Sequence, residues 1–149
     1  MLLQYFVTER NCYWNLITWH KTNVCPTCNN KYMNDTEYCL FFREKGVPLY
    51  GNYESKKTFY VTTMNTRDKA KFEHSTIKPL NIIENFVINS SQEGDIVADF
   101  FCGSGTLPAA CQNLKRKFFA CDIKQKWVNI GNNRLNNIQA NGQMTMFTD

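Results

Sequence analysis

Ile96-Val97-Ala98-Asp99-Phe100-Phe101-Cys102-Gly103-Ser104-Gly105-Thr106 is the stretch whose reading decides the fold. Its first six residues are apolar, β-branched or aromatic apart from Asp99, and they follow the turn signal Glu93-Gly94-Asp95. That pattern predicts a short parallel strand covered on both faces. Leu107-Pro108-Ala109-Ala110-Cys111-Gln112-Asn113-Leu114 then reads as a helix, with Pro108 in its first turn, where a missing N–H costs nothing. Gly103 and Gly105 remove side chains where strand becomes helix, so a ligand can approach the backbone and its N–H groups. A nucleotide-like cofactor suits such a turn.

Lys117-Phe118-Phe119-Ala120-Cys121-Asp122 gives a second strand that ends on an acid. Asp122 lies about 20 residues past the glycine turn, the offset at which a Rossmann-like unit places a carboxylate on ribose hydroxyls. A dinucleotide fingerprint also wants a third small residue three positions after the second glycine. Pro108 stands there, which disfavours NAD.

A chain of 149 residues suits one domain, and 43% hydrophobic with 14% aromatic residues argues against disorder. A net charge of +4 is compatible with a polyanionic partner without singling one out. No run of about 18 apolar residues spans a membrane, and Met1-Leu2-Leu3-Gln4-Tyr5 does not open like a signal peptide. The expected location is cytoplasmic, with reduced cysteines. Seven cysteines, an odd number, argue against a closed disulfide framework. Cys12, Cys39, Cys102, Cys111 and Cys121 lie in apolar runs and are expected to act as small hydrophobes. Cys25-Pro26-Thr27-Cys28 has zinc-ligand spacing, with His20 or Cys12 as further ligands, but there is no second C-x-x-C. The other reading is a loop with two free thiols, and no metal site is assigned.

Residues 1–13 read as the end of a helix, and Asn15–Trp19 and Glu37–Arg43 as strands. Residues 47–73 show little periodicity but carry Tyr50, Tyr53, Lys56, Lys57, Phe59, Tyr60, Arg67, Lys69 and Lys71, either a solvated loop or a nucleic-acid surface. Leu80, Ile83, Val87 and Ile88 form one apolar helical stripe after Lys78-Pro79. Trp127, Ile130, Arg134 and Ile138 are spaced for another helix, ended by Asn141-Gly142, and residues 143–147 form a final strand or a frayed tail.

Asp-Phe-Phe-Cys-Gly-Ser-Gly-Thr at 99–106, with Phe119-Ala120-Cys121-Asp122 beyond it, resembles the S-adenosylmethionine motif of DNA amino-methyltransferases, which methylate adenine N6 or cytosine N4. His74-Ser75-Thr76-Ile77-Lys78-Pro79-Leu80 looks like the family's His-Pro-Thr-Gln-Lys-Pro element, which precedes the glycine motif in the permuted β-type order. Trp19-His20-Lys21-Thr22-Asn23 and Asp35-Thr36-Glu37-Tyr38 look like its Trp-x-Lys-x-Asn and Asp-x-Glu-Tyr segments. The resemblance implies an α/β, Rossmann-like methyltransferase fold, permuted, with helices on both faces of the sheet. It implies S-adenosylmethionine as cofactor and DNA as partner, with residues 47–73 contacting the DNA. Cofactor contacts are expected from Thr76, Lys78, Asp99, Phe100, Cys102, Gly103, Gly105 and Asp122. Lys78 is suited to the methionine carboxylate, and His74 is given no catalytic role.

The family also carries an Asp/Asn/Ser-Pro-Pro-Tyr/Phe catalytic motif, and the four prolines here are Pro26, Pro48, Pro79 and Pro108, with no Pro-Pro pair. No catalytic residue is therefore assigned. The chain corresponds to the later part of the family's domain, lacking two strands between the glycine-motif strand and the Trp19 strand. That predicts a split sheet or an unpaired central edge, open to another chain. Three readings follow. One is the C-terminal portion of a β-type methyltransferase, active only with an N-terminal complement from a neighbouring gene or a longer start, so that a complementing chain or a homo-oligomer is an expected partner beside DNA. Another is a catalytically inactive remnant that binds DNA or cofactor. The last is a small nucleic-acid-binding protein with a zinc site at Cys25 and Cys28.

Overall fold

The computed structural model describes residues 1, 3–24, 30–64 and 66–140, the side chains of 139 and 140 excepted. Cys25, Cys28 and the expected final strand at 143–147 lie outside the described residues. The chain forms two compact units, Met1–Leu49 with Lys56–Met64, and Tyr50–Ser55 with the described residues from 66 onward.

The first unit opens with a short π-type helix, Gln4–Glu9, where the sequence predicts the end of a helix. Its sheet has the order β2-β1-β3, with β1 at Tyr13–Lys21, β2 at Thr36–Arg43 and β3 at Phe59–Thr62. β1 runs antiparallel to β2, from Tyr13 opposite Arg43 to His20 opposite Thr36, and parallel to β3, with Trp19 beside Tyr60. Trp19 is buried, and its indole N–H donates to Thr62 Oγ1 at 2.8 Å, which meets the polar demand of an interior tryptophan. On the other face Trp14, Leu16, Tyr38, Leu40, Phe59 and Val61 are exposed.

In the second unit, β4 (Ile96–Asp99) and β5 (Lys117–Ala120) form a parallel pair, Ile96 opposite Lys117 and Asp99 opposite Ala120. The helices are α1 (Thr66–Lys71), α2 (Leu80–Ser90), α3 (Thr106–Asn113) and α4 (Gln125–Ala140). The predicted stripe on α2 supplies Leu80, Ile83 and Val87, which meet Ala110 and Cys111 of α3 over Val97 and Phe118 of the sheet. Ala109, Ala110 and Cys111 have no exposed surface, so α3 packs by its smallest side chains. Val87→Ala removes two methyl groups from this cluster, and urea unfolding is expected to show a loss of about 2–4 kcal/mol from transfer and cavity terms.

A clasp ties Tyr50–Ser55 to the end of α2. Asn89, 9% exposed, donates from Nδ2 to the Ser55 carbonyl at 2.7 Å and accepts from Ser55 Oγ at 2.8 Å. The Tyr50 N–H donates to the Asn89 carbonyl at 2.8 Å, and a side chain on Gly51 would overlap both Asn89 and Ser55.

Several sequence expectations are corrected. β4 is not covered on both faces: α2 and α3 lie over Val97 and Phe118, while Ile96 is 72% and Phe119 58% exposed on the face opposite. Helices on both faces are likewise not found among the described residues, since α4 packs against α3. A continuous apolar run marks both faces of a strand for burial, but burial requires polypeptide on each. The sheet is split, as the missing strands predict, and the second edge of β4 has no strand partner among the described residues. Residues 47–73 are not all loop, because β3 and α1 fall within them. Cys39 and Cys121 are exposed rather than interior, whereas Cys12 and Cys111 are buried.

Candidate cofactor site

The turn after β4 is built by its own backbone. Asp99 Oδ1 accepts from the Phe101 N–H at 3.0 Å, bending the chain out of the strand. Gly103 and Gly105 then take positive φ, +51° and +76°, which only glycine adopts without penalty. The Cys102 N–H donates to the Cys121 carbonyl at 3.0 Å and the Gly105 N–H to the Cys102 carbonyl at 2.9 Å.

The Gly103 N–H donates to Asp122 Oδ2 at 3.0 Å, and the Lys124 N–H to Asp122 Oδ1 at 3.0 Å. These donors hold the Asp122 carboxyl below the usual carboxylate range, Lys124 contributing most. The sequence reading expects a ligand on the backbone N–H groups of the turn. Instead, those of residues 102, 103 and 105 are satisfied internally, with a carboxylate beside them. A phosphate nest needs free donors and no adjacent anion, so this part of the turn, with the Asp122 carboxylate on its Gly103 amide, disfavours a phosphate. Asp122 oxygens retain lone pairs for hydroxyl donors. A nucleoside with a free ribose diol fits this arrangement.

The His74–Leu80 segment reaches the same turn. A Cβ on Gly103 would lie 2.8 Å from His74 Nε2, so the imidazole fills the space a side chain would need. The His74 ring sits edge-on to Trp127 of α4 at 4.4 Å, and its Nδ1 lies 3.4 Å from Thr76 Oγ1. Burial pushes the His74 pKa below its ordinary 6.5, with Lys78 acting in the same direction and Asp122 against it. The unfolded chain therefore takes up this proton first as pH falls. His74 contributes full stability above about pH 6.5, and that contribution is lost as pH drops through the folded-state value. The melting temperature is expected to fall between pH 7.5 and 5.5, with a shallower slope in His74→Gln.

Of the residues read from sequence, Gly103, Gly105, Cys102 and Asp122 meet directly in the turn, and Thr76 joins them through His74. Lys78 shares this environment through its charge on His74. Asp99 faces the Phe101 amide. Phe100 stands apart, exposed, with its ring 6.1 Å from Phe119. Burial raises the Cys102 thiol, with Asp99 and Asp122 adding to it, and raises Cys111 to about 11, so neither is a thiolate nucleophile at neutral pH.

Gly131, which the sequence reading passes over, and Arg134, which it places on the helix without a role, support the turn from α4. A Cβ on Gly105 would lie 3.1 Å from the Cα of Gly131. Arg134, 6% exposed, donates from Nη1 to Thr106 Oγ1 at 3.2 Å and to the Ser104 carbonyl at 3.5 Å. With Trp127 they occupy positions i, i+4 and i+7 of one helix face. That spacing is the only signal in the sequence, and it is shared by any buried stripe.

The chain is 35% identical over 135 residues to the type II methyltransferase M2.LlaDCHI of Lactococcus lactis subsp. cremoris, covering 82% of this chain and 50% of that protein. It is 31% identical over 134 residues to M2.DpnII of Streptococcus pneumoniae, covering 81% and 50%. It thus spans about half the length of these curated relatives. Among solved structures, the M1.HpyAVI complex with S-adenosylmethionine superposes with a TM-score of 0.75 at 27% identity, over 91% of this chain and 68% of that one. The PvuII cytosine-N4-specific DNA methyltransferase, at 15% identity and a TM-score of 0.71, shows the same fold. The fold is therefore the Rossmann-like α/β fold of methyltransferases. The family described as DNA methylase, of the N6/N4 class, matches residues 2–133, and the chain belongs to it.

Proposed function

We propose that this chain is the cofactor-binding portion of a DNA amino-methyltransferase, one that moves a methyl group from S-adenosylmethionine to the N6 of adenine or, as the less favoured target, the N4 of cytosine. The observation that carries the cofactor is the Asp122 carboxylate on the Gly103 amide, which puts an anion where a phosphate would sit and offers acceptors to a ribose diol. Relatives that are type II methyltransferases and a neighbour solved with S-adenosylmethionine support the reading.

In this proposal Asp122 accepts the ribose hydroxyls, while Gly103 and Gly105 let the ligand lie against the turn. Lys78 pairs with the methionine carboxylate beside Thr76, and Asp99 faces the amino group. S-adenosylmethionine, when bound, supplies an electrophilic methyl. The rest of the reaction requires a flipped base whose exocyclic amine is held by polar acceptors, because its lone pair is delocalised into the ring. No Pro-Pro-aromatic motif is present to supply them. The chain acts as one partial domain, and that motif comes from the part of the relatives that the chain does not span, in a longer polypeptide or a complementing one. The basic and aromatic residues between 47 and 73 contact DNA, and the setting is cytoplasmic. The missing motif also favours a second reading, an inactive remnant that keeps the cofactor or DNA surface.

Calorimetric titration of the purified chain with S-adenosylmethionine, with NAD as the control, tests the cofactor. Saturable binding of the first and none of the second is expected. The reverse pattern, or silence with both, would overturn it.

A further inference from the structure

α4 meets the glycine turn through a buried cation. The Ser104–Gly105 peptide is fixed at both ends, its carbonyl accepting from Arg134 Nη1 at 3.5 Å and its N–H donating to the Cys102 carbonyl at 2.9 Å. The same guanidinium nitrogen donates to Thr106 Oγ1 at 3.2 Å, at the first residue of α3. The guanidinium also lies over the Phe72 ring, 4.4 Å from its centroid, an arrangement suited to a cation with little water around it. A buried charge is costly unless its donors are used, and here Nη1 is directed at a backbone and a hydroxyl oxygen of the turn.

The peptide needs such a restraint. A plane flip between Ser104 and Gly105 changes ψ of the first and φ of the second, and glycine tolerates either sign of φ. Flipped, the peptide would turn the Ser104 carbonyl to the opposite side and break the Gly105 to Cys102 hydrogen bond, opening the turn. We propose that Arg134 is a positioning residue for the cofactor site, acting through the Ser104 carbonyl and the Thr106 hydroxyl to lock the Ser104–Gly105 peptide in its binding orientation. The proposal rests on the reading that this turn holds S-adenosylmethionine.

The test combines calorimetry with S-adenosylmethionine and amide spectra of the unliganded chain for Arg134→Met, Arg134→Lys and Thr106→Val. Arg134→Met is expected to weaken binding roughly 10- to 100-fold, the range for losing hydrogen bonds from a charged donor, and to move the Gly105 and Thr106 amide resonances. Arg134→Lys, which keeps charge and donors, is expected to recover part of both effects. Thr106→Val, which removes one acceptor, is expected to cost roughly two- to tenfold. Val87→Ala, a core change away from the turn, controls for lost stability and should bind as the wild type does. Wild-type affinity and unmoved amides in both Arg134 variants overturn the proposal, as does equal weakening in Val87→Ala. If Arg134→Met does not fold, Arg134→Lys and Thr106→Val decide by the same two measurements. A wild-type chain that binds no S-adenosylmethionine removes the cofactor reading instead, and the Gly105 and Thr106 amides then still decide whether Arg134 orders the turn.

Discussion

Gly105→Trp is expected to abolish S-adenosylmethionine binding, with no saturable heat at ligand concentrations at least 100-fold above those that saturate the wild type. Two costs combine. The residue sits at φ +76°, where an L side chain costs about 1–2 kcal/mol. Its Cβ would also lie 3.1 Å from the Gly131 Cα, a backbone atom that cannot rotate away. The indole must then displace α4 or fill the turn, and either outcome removes the Asp122–Gly103 geometry. Gly94→Ala separates the two costs, since Gly94 has φ +89° with nothing within 4 Å of its Cβ. That variant carries strain without crowding and should bind as the wild type does. Binding retained by Gly105→Trp would place the cofactor elsewhere.

The isolated chain is expected to transfer no detectable methyl groups to DNA even when it binds S-adenosylmethionine. Positioning of the reacting groups is worth roughly 7–11 kcal/mol in such reactions, and the acceptors that would hold the amine are missing. Activity should appear when a polypeptide carrying a Pro-Pro-aromatic motif, matching the part of the relatives this chain does not span, is added. The exposed face around Ile96 and Phe119, and the edge of β4 that has no strand partner among the described residues, are where such a polypeptide is expected to pack. Transfer of labelled methyl groups, followed by chromatography of the nucleosides, measures the reaction and distinguishes adenine from cytosine. Robust transfer by the chain alone would overturn the need for a complement, and silence with complement present would favour the inactive remnant.

Strand, glycine turn, helix and second strand were legible because each carries a local signal: an apolar run, residues that tolerate positive φ, a proline confined to the first helical turn, and an acid at the right offset. β3 was not, since Phe59–Thr62 sits among lysines and tyrosines without a glycine turn after it, and its aromatics read equally well as a surface. The role of Arg134 was hidden for a different reason. An arginine in a polar-rich helix is ordinarily exposed, and only the three-dimensional return of α4 onto the turn makes it interior. Asp122 was placed beside the turn by its spacing, but spacing says nothing of direction. Its hydrogen bond to the Gly103 amide, which puts an anion where a phosphate would sit, is a property of the folded pair of strands. The exposed face of β4 and β5 was misjudged because apolar sequence records what a strand needs covered, not whether the cover is present.

The Asn89 clasp has a consequence for dissecting the protein by truncation. Tyr50–Ser55 precedes β3 in the chain yet belongs with α2, so the polypeptide enters the second unit, leaves it and returns. A fragment beginning at residue 65 would strip Asn89 of its Tyr50 and Ser55 partners and open the end of α2 to water, a loss of about 0.5–1.5 kcal/mol for each hydrogen bond. An expression boundary that respects the second unit lies ahead of Tyr50, and the unit travels with β3 attached.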